Sequence, residues 1–259
     1  MKRNKCIVFA FGAVLLAAGI GGFFWTRQTA LAEGAGTGIT VAFALGIIAA
    51  VLGCLLLIRA LVPTQRQHTA DVRTLTAAAL FAALCYIGFT YARIDIPVGG
   101  EKTAFHLGNV FCVLAALFLG GFWGGMAGAV GMTLADLTTA YVTSAPKTFL
   151  LKLCIGLIVG LVAHKGFHIS RDTPRKLPLA AATAISCTAG MAFNMVADPL
   201  VGYFYKRFLM GIPQEAAAIW AKMGAVTTAV NAVMAIVAAT VFYLALRAPL
   251  KRAKLAPEL

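Results

Sequence analysis

The chain has 259 residues, 61% apolar and 12% charged, with a mean hydropathy of +0.87. A water-soluble domain of that composition would lack the polar side chains needed to cover its surface, which excludes soluble enzyme folds. The 22 Lys+Arg against 9 Asp+Glu give a formal net charge of +13. In so apolar a chain that excess marks the cytoplasmic rims of membrane helices, not a nucleic-acid footprint.

A helix crossing a hydrocarbon core of ~30 Å needs ~20 mostly apolar residues. Eight segments qualify, at 6–25, 39–62, 74–93, 105–120, 122–142, 147–164, 178–205 and 214–246. The spacing predicts an all-α integral membrane protein: a six-helix core over 74–247, preceded by a two-helix extension over 1–62 and a cytoplasmic linker over 63–73. A basic cytoplasmic tail follows at 248–259.

The first segment has a competing reading. Lys2-Arg3-Asn4-Lys5, an apolar run and Ala30-Leu31-Ala32 imitate a cleaved signal peptide. The run is longer than the ~7–15 residues of a usual leader, and Arg27 interrupts the approach to the small residues.

With the N-terminus inside, 14 of the 22 basic residues fall on inner segments, so both termini are expected in the cytoplasm of a prokaryotic cell. Gly120-Gly121 and Gly124-Gly125 bracket Phe122-Trp123 in a very tight reversal. Ser144-Ala145-Pro146 ends one helix and starts the next with a cap and an early proline. Cys6, Cys54, Cys85, Cys112, Cys154 and Cys187 each lie in an apolar run without a close-spaced partner. They read as small core residues, neither disulfides nor metal ligands.

Intramembrane polar groups are expensive, and each is a functional hypothesis unless it can snorkel to an interface. His106 and Asn109 are three apart on one face near the outer mouth, with His106 expected in the first helical turn; a capped helix end with a solvated histidine is the plain alternative. Asp136 lies about two turns before the outer end of its helix, roughly 10 Å deep. An unpaired carboxylate there needs a cation, a donor or a proton. By depth, Lys152 on the next helix is the candidate partner. Lys147 points about 140° away and sits at a helix start, where the dipole disfavours a cation. It answers either to a ligand group or to the outer interface. Tyr141 lies between these two charged stretches.

Asn194 and Asp198 share a face, and Pro199 removes the amide that would bond to the carbonyl of Met195, as happens beside cavities. Trp220, Gly224, Thr227 and Asn231 form one stripe on the last segment, with an aromatic platform, a gap and two hydrogen-bonding groups. Helix packing explains that stripe equally well. Ala78 with Ala82, and Ala79 with Ala83, form small-residue stripes where another helix can approach closely. No phosphate-binding glycine loop, zinc-protease pair or serine elbow is present. The chain therefore has no visible means of hydrolysing a nucleotide, no catalytic set and no expected metal or cofactor.

Residues 72–247 carry the alanine stripe, Phe105-His106-Leu107-Gly108-Asn109, the glycine-rich turn, and Ala135-Asp136-Leu137 leading to Ser144-Ala145-Pro146-Lys147-Thr148. In these features the chain resembles the substrate-binding S component of an energy-coupling factor (ECF) vitamin transporter, most closely the riboflavin-type group. The resemblance implies a six-helix bundle that captures a vitamin or precursor (riboflavin, pyridoxine or hydroxymethylpyrimidine class) from outside, under a lid at 94–104. A membrane coupling subunit and two cytoplasmic ATPases would then topple it in the bilayer. It also implies that Ala78 and Ala82 dock the coupling subunit. The heterocycle would rest on Trp220, Tyr86 or Tyr91, with Asn109, Asp136, Lys152, Asn194 and Asp198 meeting its polar edge. The competing function is a proton-coupled carrier working alone, with Asp136 and Asp198 as proton sites.

Overall fold

The computed structural model describes residues 10–15, 17–18, 21–22, 72–98, 100–170 and 177–252. The chain divides into two units, 1–69 and 70–259. In the first unit the described residues are helical and fall within the first apolar segment. The expected second helix at 39–62, most of the linker at 63–73, a leader cleavage site, and the tail beyond Arg252 lie outside the described residues.

The second unit is built from helices α1 (Val72–Thr90), α2 (Gly108–Leu137), α3 (Ala145–Gly160), α4 (Leu179–Phe204) and α5 (Gln214–Arg252). Wider turns extend α3 through Leu161–Gly166 and α4 through Tyr205–Leu209. Each of these five lengths is apolar enough to cross a membrane. By direction, however, the bundle has six helices, because α2 folds back on itself at Gly120, where φ is +80° and ψ 172°. A side chain at Gly124 would overlap the Ala116 backbone, and one at Gly128 the Cys112 sulfur. Both contacts require two antiparallel arms, and they place the expected tight reversal at Gly120, with Phe122 and Trp123 already in the second arm.

The first arm, residues 108–119, is about 18 Å long at ~1.5 Å per residue, short of the ~30 Å hydrocarbon thickness. Its turn is therefore buried: Leu117 and Leu119 are almost inaccessible. The last carbonyls of a helix have no intrahelical partner and must find one when buried. His164 supplies it for Ala116, with Nε2 3.1 Å from the carbonyl oxygen. A carbonyl only accepts, so Nε2 carries the proton, and Nδ1 accepts from the Ser170 hydroxyl at 2.7 Å.

A two-stranded antiparallel hairpin separates α1 from α2. β1 (Arg93–Val98) pairs with β2 (Glu101–His106) in the register Arg93↔His106 to Val98↔Glu101. Ile94, Ile96 and Val98 alternate as strand residues do, and the turn contains Gly100 at φ +87°, the backbone that short hairpin turns demand. This bears on one expectation and corrects another. The stretch 94–104, expected as a lid, lies within a strand pair, and His106 ends β2 instead of opening a helix. The fourth apolar segment accordingly becomes helical only at Gly108, and the fifth ends at Leu137, five residues short of its expected limit.

The small-residue stripes also sort themselves. Ala78 is buried, and the Ala82 carbonyl lies where a side chain on Gly131 would be. The Ala82 backbone thus abuts the second arm of α2, because helices approach closest where neither carries bulk, and Ala82 itself is partly buried. The outward pair is Ala79 and Ala83, both exposed. Cys85, Cys112 and Cys187 are buried thiols, and Cys154 is partly buried.

Candidate functional site

The helix ends next to the hairpin enclose a cavity of about 140 Å³. Strand β2, both arms of α2, α3, α4 and α5 all contribute to its wall. His106, Asn109, Asp136, Tyr141, Lys147, Lys152, Asn194, Asp198, Trp220 and Asn231 all line it. So do Gly224 and Thr227, so every member of the α5 stripe faces the same space. Gly224 has no atom within 4 Å of where a side chain would sit; it leaves the gap that its spacing implies.

The floor is dry. One turn deeper than Asn109, Lys152, Asn194 and Asn231 lie Cys112, Ile155, Met191 and Ala235, each fully inaccessible. Periodicity explains this layering, since residues three or four apart on a helix share a face. The polar ring and the apolar floor are successive turns of the same faces.

Within the ring the charges are not paired as depth suggests. Lys147 Nζ lies 2.8 Å from Asp198 Oδ1, and the other carboxylate oxygen accepts from Thr228 at 2.8 Å. Lys147, out of place at the start of its helix, thus answers to a carboxylate on α4. Gly202, one turn beyond Asp198, leaves it room: a side chain there would stand 3.6 Å from the ammonium. The expected Lys152–Asp136 contact is not made. Among the described residues no carboxylate comes within ion-pair distance of Lys152. Asp136 is 2% exposed and its Oδ2 has no partner. His106 Nδ1, Asn109 Oδ1 and Asn194 Oδ1 are likewise buried and unpartnered.

Asn231 has a different task from the one its position suggests. Its Oδ1 accepts from the His106 backbone N–H at 3.0 Å, and its Nδ2 donates to the Ala104 carbonyl at 2.9 Å. The amide thus extends the edge of β2 and fastens the hairpin to α5, aided by a 2.7 Å bond between the Thr103 and Thr227 hydroxyls. On the other side, the Tyr141 hydroxyl donates to Asp95 at 3.0 Å, and Arg93 pairs with the same carboxylate at 3.2 Å. The Arg93 guanidinium also lies 5.8 Å and 5.6 Å from the Phe89 and Tyr141 ring centres, a cation over aromatic faces.

Burial, reinforced by the nearby Lys152 charge, pushes His106 down to about 3, so its ring is neutral. Burial and then the bond to Asp95 push the Tyr141 hydroxyl up. Of the expected aromatic platforms, Trp220 lines the cavity and carries Lys206 4.5 Å from its ring centre. Tyr86 and Tyr91 do not line it; Tyr86 accepts from Thr138 and Tyr91 is exposed. Phe89, Met132, Thr148 and Thr228 line the cavity without having been singled out by the sequence. Phe89 and Met132 sit in uniformly apolar runs that give no signal. Thr148 and Thr228 could have been found, being one turn from Lys152 and one residue from Thr227.

No curated protein sequence and no solved structure matches the chain. The family model for the ECF-type riboflavin transporter S component matches residues 69–248, which takes in all five described helices of the second unit save the last turn of α5. The chain therefore belongs to the ECF-type riboflavin transporter S component family, whose members are multi-pass membrane transport subunits, not enzymes.

Proposed function

We propose that this chain binds a vitamin or vitamin precursor of the riboflavin, pyridoxine or hydroxymethylpyrimidine class from outside the cell. A membrane coupling subunit and two cytoplasmic ATPases complete its delivery inward. The observation that carries this reading is the cavity: ten polar and aromatic side chains from four helices, a strand and a turn converge on one space beneath the hairpin. A buried donor or acceptor without a partner costs ~1–3 kcal/mol, and four unpartnered atoms in one wall are tolerated where a guest compensates them. The basic residues favour the cavity end as the outer one. The substrate-contacting set is His106, Asn109, Asp136, Tyr141, Lys152, Asn194 and Trp220, with Lys147, Asp198 and Asn231 holding its frame. Docking of a coupling subunit on α1 falls to the outward Ala79 and Ala83, since Ala78 is buried and Ala82 partly buried.

Equilibrium binding to the purified chain, scanned over riboflavin, pyridoxine and hydroxymethylpyrimidine, tests the reading. Saturable binding of one of them supports it; silence from a folded sample sinks it. The unpartnered, buried carboxyl oxygen of Asp136 favours one competitor, a proton-coupled carrier. Uptake by vesicles containing this chain alone, driven by a proton gradient, would establish that competitor instead.

A further inference from the structure

We propose that the cavity takes a single-ring, hydroxylated nitrogen heterocycle of the 3-hydroxypyridine type, its ring N–H donating to Asp136 and its ring oxygen accepting from Lys152. This rests on the reading of the chain as a substrate-binding subunit and narrows it to one chemical class.

Asp136 and Lys152 project from neighbouring helices into the same cavity, 2% and 7% exposed. Opposite charges buried on one cavity are expected to meet, because an isolated buried ion is strongly penalised; here Asp136 has a hydrogen bond from Thr148 and no ion pair with Lys152. A few residues away the site does close a pair, partly exposed, with both Asp198 carboxylate oxygens partnered, one by Lys147 and one by Thr228. The Asp136–Lys152 gap is therefore a vacancy between an anion and a cation. A simple anion would compensate only Lys152, and a simple cation only Asp136. One planar edge bearing a donor and an acceptor compensates both. A 3-hydroxypyridine supplies that edge in its N-protonated, O-deprotonated tautomer, which is neutral overall. Asn109, Asn194 and His106 line the same cavity and each has an unpartnered atom, which suits hydroxymethyl substituents around the ring.

Size selects among rings. At about 140 Å³ the cavity is close to an engineered cavity of ~150 Å³ that accepts benzene. A fused three-ring system offers a comparable donor–acceptor edge, but could enter only by leaving rings outside or displacing the hairpin. The Asn231 and Tyr141 contacts hold that hairpin in place.

The test is calorimetric titration of the full-length chain in detergent with pyridoxine, with its analogue lacking the ring hydroxyl, and with riboflavin. Pyridoxine should bind, and deleting the ring hydroxyl should weaken binding about 10–100-fold, as for a hydrogen bond to a charged group. In Lys152→Met, pyridoxine should weaken by a similar factor and the effect of deleting the ring hydroxyl should shrink. Asp136→Asn should weaken pyridoxine and narrow its lead over the analogue, whose ring nitrogen carries no proton at neutral pH once the hydroxyl that supplies it is gone. Should either variant fail to fold, by loss of its cooperative melt, the hydroxyl deletion on the unaltered chain still decides. Equal affinity for both pyridine compounds in the unaltered chain overturns the proposal, as does an undiminished effect of the deletion in Lys152→Met. Tight riboflavin binding without pyridoxine binding overturns the single-ring class and leaves the transport reading standing. Silence from all three, and from hydroxymethylpyrimidine, sinks the transport reading itself.

Discussion

Asn231 accepts the backbone N–H of His106 at 3.0 Å, so a side chain midway along the last helix completes the hydrogen bonding of a strand over a hundred residues earlier. Its other end donates to Ala104. Asn231→Leu leaves both backbone groups buried without a partner, at ~1–3 kcal/mol each. Hydrogen exchange of amides 101–106 should accelerate at least about tenfold, since 1.4 kcal/mol is a factor of ten. The helical amides of α2 and α3 should be unchanged. Uniform acceleration across the bundle would instead mean that the clamp supports the whole fold.

The Lys147–Asp198 pair makes a second prediction. Removing one partner of a fully buried pair costs ~3–5 kcal/mol. Here the side chains keep 14% and 24% of their exposure, so Lys147→Met or Asp198→Asn alone should lose less than that. The double variant should be more stable than the sum of the singles implies. Thermal melts of the four proteins measure it, and strict additivity would show that the two charges act independently.

His106 gives the chain an acid-sensitive element. Its ordinary value near 6.5 holds in the unfolded chain, and burial with the nearby Lys152 charge lowers it to about 3 in the folded one. Arg93 adds to that lowering and Asp198 opposes it, while the Phe89 ring packs against the imidazole. Between those values the unfolded chain binds more protons. The contribution of the neutral ring is therefore complete above about 6.5 and is lost as pH falls toward 3. The slope is up to about 1.4 kcal/mol per pH unit. Melting temperatures measured from pH 7 to pH 4 should fall more steeply in the unaltered chain than in His106→Gln.

The two alanine stripes of α1 should respond oppositely to bulk. Ala78→Leu overfills a packed contact and should cost ~1–3 kcal/mol. Ala79→Leu and Ala83→Leu, on the outward face, should leave the melt within about 0.5 kcal/mol and should weaken copurification with a coupling subunit. Intact copurification with a destabilised Ala79 variant would reverse the assignment of the faces.

Much of this architecture is legible in the sequence because membrane helices announce themselves by length and hydropathy, and because glycine pairs mark where a chain can reverse. The α5 stripe and the Asn194/Asp198 pair could be read from the same helical periodicity that brings them to one cavity. The pairing inside that cavity could not. Depth along a helix fixes a residue's level but not its azimuth relative to another helix, so Lys147 reaches Asp198 while Lys152 and Asp136 stay apart. The hairpin escaped notice because Ile94, Ile96 and Val98 form a short alternation interrupted by Pro97 and closed by glycine. The task of Asn231 depends on that strand, so it was hidden with it. The approach of Ala82 to the second arm of α2 follows from the position of Gly131, a contact between segments that local spacing does not encode.

The layer of Cys112, Ile155, Met191 and Ala235 has a mechanical corollary. A guest resting on it meets close-packed atoms, so among the described residues the cavity does not continue past this layer. Passage to the far side of the bilayer cannot be a slide through the protein. Either the helices part, which would break contacts where glycines touch backbone, or the body carries its doorway to the other side intact.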